Sequence, residues 1–155
     1  MSSGRARANH SHYLAKILLS AWRAEADKQS LPQRVLSQAF LPAIRLHLLD
    51  AYGWFLLDIS GITDLPPEPP HSATALPDPP DGKAVPGEIR EFLQLEQEGW
   101  LRDLQQALVD PPTVVSATPG NLATAADFSQ PPQAQDWVDA LGSSFERMGD
   151  SLDEC

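Results

Sequence analysis

Prolines divide this chain into stretches that can form helices and stretches that cannot. Eight of its fifteen prolines lie between Asp64 and Pro86, and further pairs occur at Pro111–Pro112 and Pro131–Pro132. Proline lacks the backbone N–H that an interior helix position donates, so these stretches disfavour regular structure. We therefore expect a Pro-rich linker at 64–86 and an irregular segment at 110–135.

Four other segments carry apolar residues at the spacing of an amphipathic helix. Spacings of three and four residues predict helices at 9–28, 32–60, 87–109 and 136–152. The last segment is the most regular, with apolar residues at Trp137, Leu141, Phe145, Met148 and Leu152. The second has the widest apolar side, so we expect it to be the central and most buried helix.

The expected helix ends follow from the residues beside them. Asn9 or Ser11 can cap the first helix, because their side chains accept hydrogen bonds from free backbone N–H groups. The second helix is expected to begin within Ser30–Leu31–Pro32, with Ser30 or Leu31 at the cap, and to stop at Gly61.

Two residues depart from the apolar patterns. Pro42 lies within the second predicted helix and predicts a kink there; the alternative is two helices separated near Phe40–Leu41. Glu96 stands at a position of the third helix where the pattern requires an apolar side chain.

These patterns predict an all-α protein: a helical bundle of three to four helices with two Pro-rich connecting segments. A chain of 155 residues is long enough for one core, so residues 1–155 are expected to form a single helical domain. Few residues separate the first two helices, which are therefore expected to form an antiparallel hairpin.

The charge distribution weighs against nucleic acid as a partner. The net charge is −10; residues 1–50 carry seven Lys and Arg against three Asp and Glu, and residues 51–155 carry four against eighteen. Such an acidic chain repels phosphate backbones. The only cysteine is Cys155, and no secretory signal or apolar run of about 20 residues is evident. These features predict a cytoplasmic protein that does not insert into a membrane.

No catalytic motif is recognisable, and no cofactor or metal site is predicted. His10 and His12 are two residues apart, so on a helix they point about 200° away from each other, whereas on an extended segment they could bind one ion. Metal binding through His10, His12 and His47 is therefore a third hypothesis. No further ligand pattern completes a zinc site. His47 lies in an apolar stretch with Asp50 one turn later, and we expect a buried or half-buried histidine whose polar atoms are satisfied by a neighbour.

The four tryptophans, Trp22, Trp54, Trp100 and Trp137, fall one in each predicted helix. Such residues usually anchor helices to one another, although together they could line a ligand cavity.

Without catalytic groups, the chain is predicted to be a non-enzymatic protein-interaction or adaptor module that binds a protein partner or itself. Its last helix would pack on its own bundle or in a partner's groove. The alternative is a small-molecule-binding bundle with a Trp-lined apolar pocket. The candidate interaction or pocket residues are His47, Trp54, Trp100 and Trp137.

Several segments resemble a bacterial family of small helical proteins, a domain of unknown function with no assigned activity. The resemblance covers most of the chain, and its motifs are Arg7-x-Asn9-x-x-x-Tyr13-x-Ala15, Leu46–His47–Leu48 with Ala51, Asp58–Ile59–Ser60–Gly61 with Leu65–Pro66, Trp100–Leu101-x-x-Leu104, and Trp137-x-x-x-Leu141-x-x-x-Phe145 with Leu152 and Glu154–Cys155. Two positions depart from the family: Asp58 stands where the family has Glu, and Leu49 where it has an aromatic residue. The resemblance implies a helical cytoplasmic protein and implies no activity.

Overall fold

The computed structural model describes residues 3–77, 82, 84–106 and 131–153. Within these ranges the chain forms five α-helices, one 3-10 turn and no strand. The helices are α1 (Gly4–Lys28), α2 (Gln33–Ile59), α3 (Gly87–Glu98), α4 (Trp100–Gln106) and α5 (Pro131–Asp153), and the turn is Ala73–Ala75. The predicted all-α class is confirmed, whereas the predicted count of three to four helices is too low for the described residues.

The first helix begins earlier than its apolar pattern predicts. Ser3 is its N-cap, and the Ser3 hydroxyl accepts a hydrogen bond from the N–H of Ala6 at 3.0 Å. The prediction of Asn9 or Ser11 as the cap is therefore wrong. Gly4 and Ala8 in the first turns are buried, but such small residues add little to an apolar pattern.

The second helix runs without interruption from Gln33 to Ile59 although Pro42 lies inside it. The alternative of two helices separated near Phe40–Leu41 is therefore wrong. Pro42 is exposed, so its ring lies on the solvent side of the helix. The buried Leu41 and Ile44 continue the apolar side past the proline.

The C-terminal end of α2 lies where the sequence predicts it, whereas the N-cap is a different residue from the one predicted. Pro32 is the N-cap, in place of the expected Ser30 or Leu31. Its fixed φ suits the entry to a helix, and a missing N–H costs nothing there. Gly61 follows the helix with a φ of +73°, a left-handed conformation that glycine adopts freely, so the predicted stop is confirmed.

The predicted third helix is divided in two at Gly99. The backbone of Gly99 is extended, with φ −115° and ψ −162°, which ends α3 before α4 begins at Trp100. The predicted helix end near 109 and most of the predicted irregular segment at 110–135 lie outside the described residues. Residues 131–135 of that segment are helical, because α5 begins at Pro131 rather than Asp136, and the first turn of a helix tolerates proline.

α1 and α2 form the predicted antiparallel hairpin. Nε of Arg5 lies 3.2 Å from Oδ2 of Asp58 at one end of the hairpin. Near the connecting turn, the rings of Trp22 and Phe40 stack with their centroids 6.3 Å apart. Early residues of α1 thus contact late residues of α2, which fixes the register in which the two helices face each other.

A chain of ring contacts joins the hairpin to α3 and α5. The Phe55 ring of α2 lies 4.3 Å from that of Phe145 in α5 and 6.1 Å from that of Phe92 in α3, centroid to centroid. Tyr52 meets Phe92 edge-on at 5.1 Å, and the His12 ring of α1 lies 5.7 Å from Phe145. Aromatic pairs contribute both buried area and preferred ring geometry, so four helices share one core.

His12 also connects α1 to α5 through a polar contact. Its Nε2–H donates to the backbone carbonyl oxygen of Val138 at 2.8 Å, and the residue is only 8% exposed. Burial lowers the pKa of His12 from its usual value of 6.5, and the hydrogen bond to Val138 opposes this effect. The folded protein therefore favours the neutral imidazole.

We expect the contribution of His12 to the free energy of unfolding to fall as the pH decreases through the usual histidine range, from about 7.5 to about 5.5. His12 takes up a proton more readily in the unfolded chain, so the unfolded state binds more protons and acid favours unfolding. His12→Gln keeps a side-chain N–H for Val138 but cannot titrate. Urea unfolding should therefore show less loss of stability with acid in the variant, whereas parallel curves for the two proteins would contradict the prediction.

Candidate functional site

The large exposed apolar side chains of the described residues are concentrated on the α1–α2 hairpin. Tyr13 and Ile17 of α1 are 59% and 46% exposed, and Val35 and Leu46 of α2 are 45% and 47% exposed. Leu31, in the turn between the helices, is 47% exposed. Single exposed apolar residues are ordinary, but adjoining ones indicate a contact surface.

Six residues on one side of the hairpin form a continuous surface, named here the open face: Leu14, Ile17, Leu18, Ala43, Leu46 and His47. Ile17 and Leu46 are exposed, and the other four are half-buried. The register of the hairpin places Leu18 across from Ala43 and Leu14 across from His47. The spacing of three and four residues within each helix keeps the set on one side.

The opposite side of the hairpin is filled by α5. His12 and Phe55 on the hairpin contact Val138 and Phe145 on α5. The buried side chains of α5 are Ala134, Trp137, Val138, Leu141, Ser144, Phe145 and Met148. The last helix thus packs on its own bundle, which was one of the two arrangements its amphipathic pattern allowed. Of the two grooves between α1 and α2, one holds a helix.

The open face carries no Lys, Arg, Asp or Glu. Lys16 and Arg45 are near it in sequence, but both lie on the side of α5. Lys16 is close enough to the buried His12 to oppose its protonation, and the Arg45 guanidinium lies 5.7 Å from the centroid of the Trp137 ring. An apolar partner that covers only these six residues would therefore have no ionised group to desolvate. Beyond them, Asp50 lies one turn after Leu46 and is hydrogen-bonded to His71, and Arg7 lies two turns before Leu14, against Trp54.

His47 is half-buried as predicted, but it lacks the neighbour that the sequence led us to expect. Asp50, one turn later, instead accepts a hydrogen bond from Nε2 of His71 at 2.8 Å. Among the described residues, no hydrogen bond or ion pair involves His47.

The four tryptophans differ in exposure and in the residues that they contact. Trp22 is 1% exposed, Trp137 3% and Trp54 7%, whereas Trp100 is half-buried. Trp22 stacks on Phe40 and Trp137 lies against Arg45, which are packing contacts. Trp54 differs, because it lines an open cavity of about 210 Å³.

Residues 62–77, named here the strap, pack against α2. At Gly53 an added Cβ would lie 1.7 Å from the carbonyl oxygen of Pro70 and 2.9 Å from Cβ of Pro69. The strap approaches so closely that only glycine leaves enough room. An open cavity of about 430 Å³ lies between Leu57 and the strap. The first part of the predicted linker at 64–86 is thus packed on the bundle.

The carboxylate of Glu96 on α3 fastens the strap. Its Oε1 accepts hydrogen bonds from the Ser72 hydroxyl at 2.5 Å and from Nε2 of Gln105 at 2.8 Å. Its Oε2 accepts from the Tyr52 hydroxyl at 2.6 Å and from the N–H of Ala73 at 2.8 Å. An ionised carboxylate only accepts, so it suits four donors. Burial, together with the Glu96 carboxylate, raises the pKa of Tyr52 above its usual range, so its hydroxyl keeps the proton that it donates.

Two further contacts hold the same part of the strap. Nε2 of His71 lies 2.8 Å from Oδ1 of Asp50, and Nε2 of Gln105 donates to the carbonyl oxygen of His71 at 2.9 Å. The result is a cluster of an imidazole, two carboxylates and hydroxyl groups that sequence reasoning did not identify as a site. Its one signal in the sequence is Glu96 at an apolar position. Each polar group of the cluster is engaged in holding the strap.

The three histidines of the metal-binding hypothesis have different surroundings. His12 faces α5, His47 lies on the open face, and His10 is exposed on α1. Among the described residues, no three His, Cys, Asp or Glu side chains are placed to hold a metal ion together.

Comparisons of the chain with family models, with curated proteins and with solved structures find no match. The resemblance to a family of small helical bacterial proteins therefore stays a prediction. No helix in the described part of the chain is both long enough and apolar enough to cross a membrane.

Glu96→Gln should destabilise the protein by about 1–3 kcal/mol, because a glutamine turns an N–H group towards donors that now have no acceptor. Glu98→Gln is the matched control: Glu98 is exposed on the same helix and, among the described residues, accepts only from Gln94, so its effect should be within about 0.5 kcal/mol. Urea unfolding measures both variants. Equal effects would show that the Glu96 network does not fasten the strap.

Gly53→Ala should also destabilise the protein, by roughly 1–3 kcal/mol, because the new methyl group must displace Pro69 and Pro70. Alanine is the better helix former by about 1 kcal/mol, so a gain in stability would mean that the strap does not press on α2. Gly87→Ala is the control, since nothing lies within 4 Å of its added Cβ. Thermal unfolding gives the stability, and limited proteolysis within residues 62–77 shows whether the strap has lifted.

Proposed function

We propose that this protein is a non-enzymatic interaction module that binds an amphipathic helix of a partner protein on the open face of its α1–α2 hairpin. The observation that carries this proposal is the concentration of large exposed apolar side chains on the hairpin, among them Ile17 and Leu46. The cytoplasmic location predicted from the single cysteine belongs to the same proposal.

The shape of the hairpin supports a helix as the occupant. Two antiparallel helices enclose a groove on each side, and a third helix packs in such a groove with side chains spaced three and four residues apart. α5 already packs in this way on one side, through residues such as Trp137 and Leu141. The open face offers the other groove, with Leu18 and Ala43 at its middle.

The charge of the protein favours a basic partner over a second copy. The net charge is −10, so two copies repel each other at long range, whereas a helix with Lys or Arg beside its apolar residues is attracted by the chain as a whole. The α1–α2 part itself, residues 4–59, carries seven Lys and Arg against four Asp and Glu, so this attraction comes from the acidic residues 60–155 and acts on approach rather than at the open face. The open face itself has no ionised side chain. Long-range attraction would therefore guide the partner, and apolar burial at Ile17 and Leu46 would hold it.

The proposal is tested with a fluorescently labelled helical peptide of leucine and lysine, whose leucines are spaced three and four residues apart. Leu46→Ser should weaken its binding about fivefold and Ile17→Ser by a similar factor, because each removes roughly 1 kcal/mol of apolar burial. Fluorescence anisotropy measures the affinities. Leu31→Ser is the matched control, since Leu31 and Leu46 are both 47% exposed but Leu31 lies in the turn.

Equal affinities for the Leu46→Ser and Leu31→Ser proteins would contradict docking on the open face. A peptide with glutamate in place of lysine should bind more weakly, and equal binding would contradict the basic partner. Sedimentation of the protein alone tests the other occupant: a dimer that Leu46→Ser dissociates would replace the partner helix with a second copy of this chain.

A further inference from the structure

A cavity of about 210 Å³ opens between the first turns of α1 and the later part of α2. Its lining consists of Ala6, Arg7, His10, Ser11 and Trp54. Arg7 faces Trp54 in the same register that places Leu14 across from His47, so the cavity continues the groove of the open face, two turns before Leu14 on α1. Since residues 7, 10 and 11 are three and four positions apart on one helix, their side chains reach the cavity from one side, and the indole of Trp54 closes it from α2.

Arg7 is the unusual member of this lining. Its guanidinium carbon lies 4.7 Å from the centroid of the Trp54 ring, and the residue is half-buried. Among the described residues its guanidinium has no hydrogen-bond or ion-pair partner, whereas Arg5 pairs with Asp58 and Arg147 with Glu91. A cation held against an aromatic ring and partly withdrawn from water attracts an anion strongly, because little hydration has to be removed.

The other polar groups of the cavity are also donors. Ser11 is 9% exposed, and within the described part of the chain its hydroxyl makes no hydrogen bond. His10 adds an exposed imidazole N–H, and no Asp or Glu lines the cavity. A guanidinium, a hydroxyl and an imidazole around a space without carboxylates match the acceptor oxygens of a carboxylate or phosphate.

We propose that this cavity binds a small oxyanion, a carboxylate or phosphate group, with Arg7 as its charged ligand and Ser11 and His10 as further donors. The volume lies below the roughly 300–1,000 Å³ of sites for drug-sized ligands, so the ligand is a small anion rather than a nucleotide. Trp54 is one of the tryptophans predicted to line a small-molecule pocket, and an oxyanion would be the ligand of the cavity that it lines. It does not depend on the partner helix.

The test is a titration of the ¹⁵N-labelled protein with sodium phosphate and, separately, with sodium acetate, each compared with sodium chloride at the same ionic strength. The expected result is a saturable shift of the Arg7 side-chain Nε–H and the Trp54 indole N–H signals. Saturation with phosphate alone assigns a phosphoryl ligand, with acetate alone a carboxylate ligand, and with both a general oxyanion site.

Arg7→Gln should weaken the binding at least about tenfold, because it removes the charge and the paired N–H donors. Arg34→Gln is the matched control. Arg34 is exposed on α2, so this substitution changes the net charge by the same amount away from the cavity. Ser11→Ala should weaken binding without changing charge, which keeps the test decisive if Arg7→Gln does not fold.

The proposal is overturned if chloride causes the same shifts, if neither anion saturates, or if Arg7→Gln and Arg34→Gln bind equally. Arg7→Gln should not weaken binding of the leucine–lysine peptide, because the change removes a positive charge that repels its lysines. Loss of anion binding with retained peptide binding, or the reverse, therefore shows which of the two proposals has failed.

Discussion

The buried ring of Phe55 is the contact on which the rest of this structure depends. It meets Phe145 of α5 and Phe92 of α3, so a single residue of α2 joins the hairpin to both of the elements that cover it. Around Phe55 the helix is enclosed on almost every side, and residues 51–57 are all buried. The first half of α2 has no such cover on one side among the described residues. The open face is thus the part of the central helix that lies beyond the reach of α3 and the strap.

The composition of the strap explains why a carboxylate lies in the apolar pattern of α3. Prolines have no backbone N–H, so a Pro-rich segment offers few hydrogen bonds with which to attach itself. The donors that it presents to α3 are the hydroxyl of Ser72 and the N–H of Ala73, at the start of the 3-10 turn. An acceptor with several lone pairs is needed beside them, and Glu96 supplies it. Close packing at Gly53 then completes the attachment.

The sequence predicts the parts of this fold that large apolar residues define, and it misses the parts that small or polar residues define. The all-α class, the hairpin and the amphipathic last helix follow from spacing alone. The start of α1 does not, because Gly4 and Ala8 are buried without being strongly apolar. The sequence likewise predicts one property of the candidate site and misses another. Ile17 and Leu46 are visible as apolar residues, but their exposure depends on where α5 packs, which no local pattern contains.

The open face is not a requirement of the fold. An exposed position can be polar at little cost to stability, and most surface substitutions change it by less than about 0.5 kcal/mol. The contacts of the hairpin with α5 are made elsewhere, through His12 and Phe55. Apolar side chains at Ile17 and Leu46 therefore gain nothing from the core that a polar residue would lose. Their exposure on a face whose six residues carry no charge is explained if burial there occurs on binding, as the proposed partner helix provides.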